Sequence, residues 1–192
     1  MAKKYEFRPD PDGSGNLGKL LLTKKQRRSL LRWTLFGLVC LVGLLLQDAI
    51  LCRAYVMGAR PDVVPCLILM VCVLQGVESG SIFTLVAACA YYFSGSAPGP
   101  YVIPILVVIA VFLVILRQNY LQQGFITILL CAGAGMLVYE MCLFGINLFL
   151  GRTLPARMGV FLLSVALSLI AVPVAYPILK AIGKIGGDTW KE

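Results

Sequence analysis

Six apolar runs alternate with short polar breaks along this chain, at residues 33–52, 63–76, 80–93, 101–116, 124–145 and 158–179. A bilayer core ~30 Å thick is crossed by roughly 20 apolar helical residues. The runs therefore predict an all-α polytopic membrane protein with about six transmembrane helices, over residues 32–182. The first run lacks the short apolar core and small-residue cleavage site of a secretory signal, and is expected to stay as a span. The second and third runs, as helices, reach only about 21 Å each at 1.5 Å per residue. They are either two short crossings shielded by their neighbours or a re-entrant hairpin, and two crossings is the reading adopted.

The breaks carry turn chemistry. Residues 94–100 are expected to turn tightly, with Pro98 and Pro100 stopping the third helix. Pro104 falls in the first turn of the fourth helix, where a missing N–H costs nothing. Pro173 and Pro177 are expected to kink the sixth. Cys131, Gly133 and Gly135 give the fifth run a small face, as Ser164 and Ser168 do the sixth, for close helix approach.

Composition agrees with the pattern. Only 14% of the 192 residues are charged, against roughly 25% in soluble domains, and mean hydropathy is +0.89. Net charge is +8, but its placement matters more than its size. With six spans, 13 of the 17 basic residues fall on the side of the chain ends and four (Arg53, Arg60, Arg152 and Arg157) on the other. The positive-inside rule then puts both termini of this inner-membrane protein in the cytoplasm. Residues 1–31 read as a basic tail, disordered over 1–18. Its juxtamembrane amphipathic stretch brings Lys24, Lys25, Arg27 and Arg28 to anionic lipid. Residues 183–192 read as a second cytoplasmic tail. Nothing interleaves aromatics with the basic residues or forms a known module, so no nucleic-acid partner is expected.

Chemistry is sparse. There is no histidine, which removes the commonest general base and metal ligand. The seven cysteines form no CxxC pair and read as small buried hydrophobes. No glycine-rich nucleotide motif occurs. The expectation is a protein that is not an enzyme, with no cofactor and no metal. Glu140 is the one carboxylate clearly inside a span; at such depth it calls for a partner, with Arg53 and Arg60 the candidates. Asp48 is expected to face water or Arg53. Asp62 is expected to cap or charge the start of the second helix.

Residues 60–145 also carry a pattern. Pro61 and Asp62 precede the second run, Gly80 sits in the short turn after it, and the third run ends in Ser94, Gly95, Ser96 and Gly99. Glu140 lies in the fifth run. This pattern resembles the rod-shape-determining protein MreD family, with one departure: Tyr91 stands where the family usually has Asp. The resemblance implies a non-catalytic membrane subunit of the bacterial cell-elongation complex, helping to position peptidoglycan synthesis. Its partner would be MreC, with MreB, RodA and a class B penicillin-binding protein in the wider assembly.

The resemblance also implies a fold similar to the substrate-binding S components of energy-coupling-factor vitamin transporters, and such an S component is the alternative function. The interface or structural residues would be Asp62, Gly80, Tyr91, Ser94, Gly95, Gly99 and Glu140, with residues 94–100 and the outer helix ends as docking surface. An S component would instead need an outward cavity, for which Arg53, Arg60, Tyr91, Tyr92, Tyr139, Glu140 and Asn147 are candidates. Replacing Glu140 by Leu is expected to weaken assembly or stability.

Overall fold

The structure is a computed structural model that describes residues 24–53, 57–120 and 124–185. The disordered tail expected over 1–18 and the last residues of the C-terminal tail lie outside these. Among the described residues, seven helices run α1 (Lys24–Ala49), α2 (Val63–Gln75), α3 (Val77–Phe93), α4 (Val102–Tyr120), α5 (Phe125–Phe149), α6 (Met158–Leu169) and α7 (Ala171–Lys184). Short 3-10 turns occur at Leu51–Arg53 and Pro155–Arg157, and the described residues contain no strand.

α2 is the hub. Every residue from Val64 to Leu74 is buried, and the helix packs against α1, α3, α4, α5, α6 and α7. A helix apolar on all sides is one enclosed on all sides. Both of its ends are tied by side chains from other helices. Gln47 of α1 accepts through Oε1 from the Val64 amide at 2.9 Å. At the other end, Nη1 of Arg117, on α4, donates to the Val73 carbonyl. These bonds satisfy terminal groups that a helix cannot pair within itself. Arg117, just past the end of the fourth apolar run, is buried, and α4 runs on through it to Tyr120.

Outside this hub the apolar surface faces outward. Leu38, Leu41 and Leu45 of α1, Val108 and Phe112 of α4, Ile126 and Leu130 of α5 and Val174 of α7 are all exposed. Three helices, α1 from Arg27, α4 and α5, are long and apolar enough to cross a membrane, and a fourth span results if α6 and α7 are one broken crossing. α2 and α3 are shorter, 13 and 17 residues.

Several boundaries differ from expectation. α1 begins at Lys24, with no break at residues 31–32, since Lys, Gln and Arg are good helix formers and carry the helix into polar surroundings. α3 begins at Val77, so Gly80 lies in its first turn instead of in the connection. The connection is Gly76 alone, with φ 89° and ψ −179°, a conformation essentially restricted to glycine. Gly76→Ala is therefore expected to cost about 1–3 kcal/mol, read from the unfolding free energy in detergent. The sixth run breaks at Ile170, where α6 and α7 meet at 40°. Pro173 cannot donate to the Leu169 carbonyl and its ring crowds that oxygen, which accounts for the break falling three residues before the proline.

Candidate functional site

The C-terminal ends of α1 and α3 meet the N-terminal ends of α2 and α6 and the later half of α5. A cavity of about 410 Å³ opens there, lined among others by Gln47, Arg60, Asp62, Tyr91, Gly95, Ser96, Glu140 and Ser164. Leu143, Val160 and Phe161 form its apolar wall.

Asp62 sits at the N-cap position of α2 but makes no capping bond with its side chain. Its carboxylate faces across the bundle instead. Oδ1 accepts from Gln47 Nε2 at 2.6 Å, and the Tyr91 hydroxyl lies 2.9 Å from both oxygens. The Asp62 amide donates to Ser168 Oγ at 2.8 Å, and Ser168 passes its own proton to the Ser164 carbonyl at 2.8 Å. Four helices thus converge on one carboxylate and its amide. Tyr91 is buried and supplies a neutral donor; an Asp at that position would set a second acid against Asp62. Tyr139, also fully buried, places its hydroxyl beside that of Tyr91.

Glu140 is only 5% exposed. Among the described residues its hydrogen bond is from Ser164 Oγ, at 2.9 Å to Oε1. The same hydroxyl lies 2.7 Å from the Arg60 carbonyl oxygen. Of the two expected partners, Arg60 shares the cavity, while Arg53 is exposed and does not line it. The stability half of the expectation for Glu140→Leu is thereby revised. Removing the carboxyl leaves Ser164 its carbonyl acceptor, so no buried donor is orphaned. The variant is expected to unfold within about 1 kcal/mol of the parent, as measured by denaturant titration in detergent.

The turn after α3 closes one side of the cavity. Ser94 donates to the Tyr91 carbonyl at 2.8 Å, Gly95 takes φ 79°, and Ser96 Oγ donates to Asp48 Oδ1. Asp48 is exposed, as expected, and also fastens this turn to the end of α1. A Cβ on Gly99 would meet the Tyr101 ring at 2.5 Å, so Gly99 shapes the turn from outside the cavity. Gly80 is remote from it and serves the α2–α3 contact. Lys24, Lys25, Arg27 and Arg28 begin α1 at the opposite end; Arg27 and Arg28 are exposed.

Of the residues expected to line an outward cavity, Arg60, Tyr91 and Glu140 do so. Tyr92 packs its ring against Phe93, and Asn147 donates to the Leu143 carbonyl within its own helix. Sequence reasoning missed Gln47 and the hydrogen-bonding role of Ser164 and Ser168. Their spacing of four, which puts both hydroxyls on one helix face, was the one signal available. Cys40, Cys66, Cys72, Cys89, Cys131 and Cys142 are free thiols.

The described residues define an all-helical bundle with three or four helices able to cross a membrane and a polar cavity at one end. No family model, curated protein or solved structure matches the chain.

Proposed function

We propose that this protein is a non-catalytic, multi-pass subunit of the bacterial cell-elongation complex, of the MreD kind, whose cavity end faces outward and receives MreC. In this reading the chain crosses the inner membrane six times, through α1, α2, α3, α4, α5 and the bent α6–α7 pair, with both termini in the cytoplasm. α2 spans only ~20 Å as a helix, and its enclosure by six neighbours is what makes so short a crossing tolerable, because lipid does not reach its ends. MreB, RodA and a class B penicillin-binding protein belong to the wider assembly, with anionic lipid at Arg27 and Arg28.

The observation that carries the reading is convergence. Pro61, Asp62, Gly95, Ser96 and Glu140, drawn from separate stretches of the MreD-like pattern, all line one cavity. The test is co-purification with MreC after mild detergent extraction, alongside depletion in a rod-shaped host. Recovery of MreC and rounding of depleted cells are expected; free MreC and unchanged rods would end the proposal.

One observation favours a second reading, an S component of a vitamin transporter: the cavity is concave, of ligand size and lined by convergent polar groups. Tight binding of riboflavin, thiamine, biotin or folate by the purified protein would favour it over the scaffold.

A further inference from the structure

We propose that the cavity beside the α3–α4 turn binds a small amphiphilic cation, its ammonium or guanidinium group held by Glu140 and its apolar body resting on Leu143, Val160 and Phe161. The inference stands apart from the elongation-complex reading and follows from counting donors against acceptors in the lining.

Asp62 takes the Gln47 amide and the Tyr91 hydroxyl. Ser96 gives its proton to Asp48. Ser164 has a single proton and faces two acceptors, the Arg60 carbonyl and Glu140. Among the described residues Glu140, nine-tenths buried, has one shared hydroxyl for a carboxyl that has room for about four hydrogen bonds. Buried carboxyls are ordinarily paired or fully hydrogen-bonded.

Charge tells the same story. Two acids, Asp62 and Glu140, line the cavity against one cation, Arg60. A ligand bringing N–H donors and a positive charge supplies both missing quantities. The volume, about 410 Å³, suits a small organic molecule. Three apolar side chains opposite the acids make an apolar body on that molecule favourable.

The experiment uses the full chain in detergent micelles and three probes of one shape: benzylamine, which is cationic at neutral pH, benzyl alcohol and benzoate. Equilibrium dialysis of labelled probe, without any partner protein, is expected to show saturable binding of benzylamine. Its affinity should exceed that of the other two by about tenfold or more, the worth of a charge-assisted hydrogen bond. Glu140→Gln, which keeps size and removes charge, should erase the preference.

Val160→Trp fills the apolar wall without touching the hydrogen-bonded groups, and should weaken benzylamine binding even if the Gln variant fails to fold. Absence of saturable binding overturns the proposal. So does equal binding of the alcohol, or benzylamine binding that either folded variant leaves unchanged. Loss of MreC recovery would not produce any of these results, so the two proposals fail separately.

Discussion

Asp62→Ala is expected to lower the unfolding free energy by about 2–6 kcal/mol, because it strands two buried donors at about 1–3 kcal/mol each. The Gln47 amide and the Tyr91 hydroxyl both point at this carboxylate, and both residues are buried. Removing the acid also removes the cost of desolvating it, which is why breaking one side of a buried pair hurts more than replacing the whole. Here the partners remain, buried and without their acceptor. The Val64 amide keeps its bond to Gln47 Oε1, so the start of α2 is not itself uncapped and the loss reports the cross-bundle bonds. Asp62→Asn keeps one acceptor oxygen and should lose about half as much. Chemical unfolding in detergent measures both; an Ala variant within about 0.5 kcal/mol of the parent would mean that the carboxylate holds nothing together.

The second large effect is steric. Gly80→Val is expected to cost about 3 kcal/mol or more, at the upper end of overpacking penalties. A Cβ on Gly80 would stand 2.7 Å from the Cys72 carbonyl oxygen and 3.1 Å from the Cys72 Cα. These are backbone atoms of the hub helix and cannot swing aside as a leucine tip does. The branched side chain is also stiff at χ1 and has few rotamers with which to escape. Either α2 and α3 part, opening the core along both, or α3 unwinds its first turn. Gly37→Val is the control: nothing lies within 4 Å of its Cβ, and the change should stay within about 1 kcal/mol, since valine is slightly the better helix former. Equal losses at the two positions would show that the α2–α3 contact is not the cause.

The same two residues show where sequence reading stops. Gly80 was expected to act as a turn glycine. Its spacing from the apolar runs is compatible with that, and only the distance to Cys72 reveals a glycine required by a neighbouring backbone. Gly76, the residue whose φ demands glycine, lay unremarked at the end of an apolar run. Asp62 before a helix reads as an N-cap, a rule built on local geometry. The partners that take its carboxylate are 15 and 29 residues away, and no local rule anticipates them. Glu140 was singled out by depth alone, and depth is a property of the run it sits in; its contact with Ser164 was not legible.

What the chain determined by itself is therefore the existence, type and order of the helices. Apolar length and proline and glycine punctuation act over a handful of neighbouring residues, and the described helices follow them to within a few positions at most ends. What only the packed molecule decided is which of these helices is enclosed, which polar groups meet, and where the cavity opens. Those outcomes depend on side chains brought together from distant parts of the chain, and a hydrogen bond or a steric clash is settled by the last ångström of approach.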